Sequence, residues 1–365
     1  MVKLGEVAEI VGGSTPKTNE SSFWDGEFCW VTPAELGNNK YISSTNRTIT
    51  DAGVKNAHLQ LLPIGTVLLS SRAPIGKLAI TKVAMYCNQG FKNLVCSDKL
   101  YNEFAYWFLY YSKDYLNSLG TGATFKEISK RVVEKVEIPL PPLPEQERIV
   151  SILDAEFAKI DAVKAGAEKS LQHAKDLFQA ALKKELTPKE GWETKKLEEV
   201  IKLQSGENLP AKKMQDGIYP VYGGNGVSGY HNDYNMMGEN IIIGRVGALC
   251  GNVRYLREPF WLTDNGFKVI LNKGLTVDLR YLTLFLNFVN LRQYAKQTAQ
   301  PVISNVALKE VPVILPPLPE QQSIVSRLDT LNTHCKTLQA NYERTIALCD
   351  DMKQALLRKA FNGEL

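Results

Sequence analysis

One heptapeptide occurs twice in this chain. Residues 140–146 read LPPLPEQ, residues 315–321 read LPPLPEQ again, and the offset is 315 − 140 = 175. Without a gap, IVSILD (149–154) then meets IVSRLD (324–329), and Gln179, Ala180, Leu182 and Lys184 meet Gln354, Ala355, Leu357 and Lys359. Residues 140–186 against 315–361 share 19 identities in 47 positions. Backward, Ile128 and Ser129 meet Ile303 and Ser304, and Val136 meets Val311. A period this long is too large for a solenoid repeat, so the chain is one domain design used twice.

The stretch after each heptapeptide reads as a helix. Leu153, Phe157, Ile160, Val163, Ala167, Leu171, Ala174, Phe178 and Ala181 give a mean spacing of 28/8 = 3.5 residues. Leu328, Leu331, Cys335, Leu338, Tyr342, Ile346, Cys349, Met352 and Leu356 repeat that span and mean. Sustained 3.5 periodicity argues for a coiled-coil seam. Pro144 and Pro319 suit the first helical turn, where a missing N–H costs nothing, and Glu145 and Glu320 suit the positive end of the dipole. About 40 residues at 1.5 Å rise each make a rod of roughly 60 Å, or roughly 17 base pairs of duplex. Two seams of equal length in one chain can meet antiparallel.

The segments between differ in kind. Strand-like runs include GTVLLS (65–70), KLAIT (77–81), ENIIIG (239–244) and FKVIL (267–271), each bounded by turn residues. Shorter helical stretches lie at 102–118 and 278–294. The reading is α+β: a module at 1–139, a long helix at 140–186, a second module at 187–314 and a second long helix at 315–365. The modules open alike, with KLGEV (3–7) and KLEEV (196–200). Inside them SSRAPIGKLAI (70–80) resembles GRVGALCGNVR (244–254), which sets Arg72 against Arg245, and NQGFK (88–92) resembles DNGFK (264–268). One scaffold with two divergent faces suits the reading of two different things.

The twice-repeated LPPLPEQxxIVxxLD entering a long helix, the linker GWETKKLEEV (191–200) and the ending LLRKAFNGEL (356–365) carry a resemblance. Over essentially its whole length the chain resembles the specificity subunits of type I restriction–modification systems. The resemblance implies two target recognition domains alternating with two long helices that pair antiparallel about a pseudo-two-fold axis. It implies that each domain reads one half of a bipartite double-stranded DNA target while the helices set the unread spacer. The subunit would be non-catalytic and bind no cofactor. Two modification subunits would bring S-adenosylmethionine for adenine methylation, and restriction subunits would bring ATP and Mg. A specificity subunit of a related fused restriction–methylation system, and a coiled-coil adaptor that binds no DNA, are the alternatives.

Net charge is only +4. It divides as 15 − 13 = +2 on 1–139, 7 − 8 = −1 on 140–186, 15 − 12 = +3 on 187–314 and 6 − 6 = 0 on 315–365. The excess sits on the modules, where DNA contacts are expected. Arg and Lys read guanine, Asn and Gln read adenine, and Lys, Ser, Thr and backbone amides hold phosphates. In the first module the candidates are Lys17, Ser71, Arg72, Lys77, Asn88, Gln89, Lys92, Thr124 and Lys126. In the second they are Lys212, Lys213, Asn225, Arg245, Asn252, Asn265, Lys268, Gln297 and Gln300.

Other chemistries find little support. GNGVSG (224–229) matches GxGxxG, but YHNDYNMMGEN after it is not helical, so a turn-rich loop is expected. No GxxxxGK followed by Ser or Thr is present, nor Asn-Pro-Pro or Asp-Pro-Pro before an aromatic. Six cysteines without a CxxC and four scattered histidines suggest buried thiols and no metal site. No apolar run reaches membrane-spanning length and MVKLGEVAEI lacks a signal-peptide plan, so a cytoplasmic location is expected.

Overall fold

The computed structural model describes residues 1–37, 39–72, 74–122, 126–296 and 300–365. They form two compact units, Met1–Ala167 with Arg344–Leu365, and Glu168–Glu343.

In the first unit a five-stranded sheet runs in the order Ala8–Gly12, Lys92–Cys96, Val67–Leu69, Leu78–Thr81, Tyr41–Ile42. Only the last pairing is parallel. Val67, Leu68 and Leu69 are all fully buried, because both faces of the strand are covered. Val67 and Leu69 join Phe104, Ala105 and Phe108 of the helix Asn102–Tyr111, while Leu68 joins Val31, Leu62 and Phe91 on the other face. A small sheet of Thr48–Ile49, Trp24–Val31 and Tyr86–Cys87 lies in the same unit.

The second unit repeats this plan. Its four-stranded antiparallel sheet runs Ile201–Ser205, Gly266–Leu271, Asn240–Gly244, Val253–Leu256, and its small sheet runs Gly226–His231, Tyr219–Gly223, Trp261–Leu262. Ile241 and Ile243 pack with Tyr281 and Phe285 of the helix Leu279–Val289, and Ile242 turns to Met236, Phe260 and Leu262. The helix starts at an Asp278 cap that accepts from Arg280 and Tyr281 N–H, and ends at Asn290, whose φ is 56°. All four strand-like runs of the sequence therefore lie on strands. The helical run 102–118 divides into Asn102–Tyr111 and Lys113–Ser118.

The long helices are Leu143–Leu186 and Leu318–Asn362. Within each unit they pair antiparallel. Lys353 bonds Asp161 and Lys164 bonds Asp350 in the first unit, and Arg327 bonds Glu185 at 2.6 Å in the second. Exposed ion pairs of this kind add little stability, and the apolar seam does more. Its buried members include Leu153, Phe157, Ile160, Leu357 and Ala360 in one unit and Ala174, Leu182, Leu328 and Cys335 in the other. Three expected seam residues point outward: Val163 (56% exposed), Leu338 (40%) and Met352 (57%). An α-helix of 3.6 residues per turn drifts from a strict 3.5 repeat. Here Lys164 and Lys353 take the inner places, their stems over the seam and their ammonium groups reaching across to the facing carboxylates.

Helix pairing and helix-on-module packing are both present. The start of the first long helix (Ile149, Val150, Leu153, Phe157) lies in the first unit's core, together with Leu357 and Ala360 from the end of the second. The second unit's core takes Ile324, Val325 and Leu328 with Leu182 and Leu186.

The glutamine of the repeated heptapeptide has a structural role. Gln146 is fully buried; its Oε1 accepts Tyr101 N–H at 2.8 Å, and its Nε2 donates to Lys99 O and Pro141 O. Gln321, 2% exposed, likewise accepts Asp278 N–H at 2.9 Å and donates to Pro316 O. Each clasps the module's helix to the long helix. Replacing Gln321 with Leu strands a backbone N–H and is expected to cost about 1–3 kcal/mol. Faster hydrogen exchange at the Asp278 amide and a lower unfolding midpoint of that unit will check it.

Candidate nucleic-acid interface

The two units share a hydrogen-bond framework around one loop. Ser71 N–H donates to Gly90 O and Ser71 O accepts from Ile128; Arg245 N–H donates to Asn265 O and Arg245 O accepts from Ile303. Ser70 bridges Phe91 as Gly244 pairs with Gly266, and Arg72 bridges Glu127 as Val246 bridges Val302. Across the loop Ser70 O accepts Gly76 N–H, and Gly244 O accepts Gly251 N–H. That loop is one residue longer in the second unit, since 251 − 244 = 7 and 76 − 70 = 6.

This framework corrects the alignment of Arg72 with Arg245. The counterpart of Arg245 is Ser71, and that of Arg72 is Val246. The NQGFK and DNGFK segments also slip by one residue: Asn88 N–H donates to Val31 O as Thr263 N–H donates to Tyr222 O. Lys92 therefore corresponds to Phe267 rather than to Lys268.

In the first unit many of the expected contact residues serve the loop itself. Ser71 is fully buried, and its Oγ accepts from Lys92 Nζ at 3.3 Å, so the expectation that it touches DNA is withdrawn. Lys92 pairs with Glu127 at 3.2 Å. Lys77 is half-buried and donates Nζ to Pro33 O at 3.1 Å. Asn88 caps Gly90 N–H at 2.8 Å. Gln89 is exposed and accepts from Thr15 Oγ1. Lys17 and Lys126 are exposed and Arg72 is half-buried. Thr124 lies outside the described residues.

The second unit gathers three candidates. Asn225, Asn265 and Gln300 line a groove of about 400 Å³ with Gly223, Gly224, Gly226, Ser228, Val246 and Thr263. Three amides on one groove suit base-edge reading. Asn225 is oriented by Leu249 N–H, which donates to its Oδ1 at 2.9 Å. GNGVSG is the turn and second strand of a hairpin, as its non-helical sequel implies. Gly224 has no room for a side chain: a Cβ there would stand 1.8 Å from Val246 O. Lys212 and Lys213 are exposed on the one-turn helix Ala211–Lys213; Asn252 and Lys268 are half-buried. Gln297 lies outside the described residues.

Sequence reasoning missed Arg254. It sits on the strand Val253–Leu256 facing Ile242, its Nη2 3.2 Å from where a Gly226 Cβ would stand, and its Nη1 is buried without a hydrogen-bond partner among the described residues. Its counterpart in the repeat, 254 − 175 = 79, is Ala79, so nothing in the repeat signalled it. All six cysteines are free, four buried and two half-buried. Burial pushes the Cys87 thiol up to about 12, so it is no nucleophile. Among the described residues no helix is long and apolar enough to cross a membrane.

The geometry defines a class: a duplicated α+β reader whose two faces, on one backbone framework, carry different side chains. The chain belongs to the type I restriction modification DNA specificity domain family, whose model matches residues 1–173 and 189–346. It is 30% identical to the type I restriction enzyme MjaIX specificity subunit of Methanocaldococcus jannaschii, over all of this chain and 92% of that one. It is 29% identical to the EcoprrI specificity subunit of Escherichia coli, over 90% and 86%. Among solved structures, a chain from a study of assembly and conformational transition of the type I R-M system aligns with TM-score 0.81 at 20% identity, covering 100% and 97%. The HsdS subunit of Thermoanaerobacter tengcongensis aligns with TM-score 0.64 at 21% identity, covering 100% and 96%. These two likenesses bear on the fold. The family makes this chain a DNA sequence-recognition subunit, and the adaptor alternative is not favoured.

Proposed function

We propose that the modules at 1–139 and 187–314 each read one half of a bipartite double-stranded DNA target, while the long helices set the unread gap and dock partner subunits. The observation that carries this is the double family match falling on two units with one framework and different residues at equivalent places. Phosphate contacts position such a module and base-edge contacts specify, so equal scaffolds with unequal faces read unequal sequences.

The chemistry belongs to the partners in this reading. Two modification subunits bring S-adenosylmethionine and methylate adenine, and restriction subunits bring ATP and Mg. This chain, acting in the cytoplasm, supplies position and sequence choice and holds no cofactor.

The test is the methylation pattern of the host genome with and without this gene. The expected result is methylated adenine in two unlike short motifs at a fixed gap, lost on deletion. A single continuous motif, or no change on deletion, overturns the reading.

A further inference from the structure

The shared framework exposes an exchange of residues. Ser71 and Arg245 hold one place in their units. Lys92 and Phe267 hold the neighbouring place; Lys92 pairs with Gly12 and Phe267 with Ser205, each the last residue of the adjoining strand. In the first unit the cation at this spot is Lys92, against Ser71 Oγ. In the second it is Arg245, its guanidinium 5.4 Å from the centre of the Phe267 ring. The positive charge stays and the strand that supplies it changes.

The two cations differ in what neutralises them. Lys92 has Glu127. Arg245 makes no ion pair among the described residues: Nη1 reaches Ser205 Oγ at 3.5 Å and Asp264 O at 3.4 Å, both long, and buried Nε has no partner. Leaving a half-buried guanidinium so poorly met is costly unless a ligand supplies the anion. Base contacts differ with the sequence read, whereas phosphate contacts do not. A charge kept at one place under two divergent faces therefore fits the backbone.

We propose that Arg245 holds a DNA backbone phosphate of the second half-site and that Lys92 is its counterpart in the first, released from Glu127 on binding. This rests on the DNA-reading function above. The test uses the full chain assembled with its modification subunits, and duplexes carrying the target or single base changes in the second half-site.

Arg245→Ser is expected to weaken binding about tenfold on every duplex and to lower the salt slope by about 1, leaving the ranking of bases unchanged. Adding Phe267→Lys returns the charge from the other strand and restores the slope, as does Arg245→Lys alone. If the serine variant does not fold, Arg245→Gln must show the same loss of slope. In the first unit Glu127→Gln is expected to tighten binding; no change there overturns the role of Lys92. A relaxed base ranking in Arg245→Ser makes it a base contact, and unchanged affinity and slope make it a packing residue; either overturns the proposal. An unmutated complex that binds no duplex sinks the DNA-reading function instead.

Discussion

Exchanging residues 187–315 for the matching stretch of a relative changes one half of the methylated motif and leaves the other as it was. The second unit owns what this outcome needs. Its sheet, its helix Leu279–Val289 and its core around Ile241, Ile243, Tyr281 and Phe285 come from within the exchanged stretch. The boundary is placed so that the paired strands Glu193–Lys196 and Pro312–Leu315 travel together. Leu182, Leu186, Ile324, Val325 and Leu328 stay behind and receive the new module, so the donor must present a similar apolar underside. The groove of Asn225, Asn265 and Gln300 leaves with the exchanged stretch, and each mismatched base pair then costs about 1–3 kcal/mol against the old half-site. The expected effect is a complete change of sequence on one side at an unchanged gap, read as methylated adenine across the genome. Alteration of both halves, or of neither, refutes the assignment of one reader to each module.

Much of this architecture is visible in the residues alone, for physical reasons. Identity at an offset of 175 needs no structure to interpret, and a 3.5-residue apolar spacing leaves few options besides a paired helix. The runs around Leu68 and Ile242 read as strands because burial on both faces removes polar alternation. Other features depend on geometry that spacing does not carry. The loop of the second unit holds one extra residue, and an arginine near the start of each unit's loop, Arg72 and Arg245, invites the wrong match. Lys92 and Glu127 stand 35 residues apart and meet only after folding. Gln146 and Gln321 look like polar residues of a helix start until the module's helix arrives to donate to them. Val163 and Lys164 differ by about 100° around the helix, and the drift of a 3.6-residue helix from a strict 3.5 repeat, which turns Lys164 toward the facing Asp350, is not visible in the spacing.

Leu357→Asp disables recognition by the first module, more than 200 residues earlier in the chain. Leu357 is fully buried in the core that holds Phe104, Leu109, Leu153 and Phe157, and Ala360 is buried beside it. Four residues on, Phe361 packs on Phe104, Phe108 and Tyr111 with ring centres 5.4, 5.5 and 5.5 Å away. Truncating a buried leucine costs about 2–5 kcal/mol, and a carboxylate in its place adds the burial of an unpaired charge. That is a large share of the stability of one unit. Hydrogen exchange is expected to show protection lost at Val67–Leu69 and in the helix Asn102–Tyr111, and kept at Ile241–Ile243. Methylation of the bipartite target then fails for want of the first half-site. The repeat supplies the control, because Leu182 occupies the same place 357 − 182 = 175 residues earlier and is buried in the second unit's core. Leu182→Asp should open the second unit and spare the first. If both substitutions opened the same unit, or each opened the two alike, the division of the helix ends between the cores would be wrong.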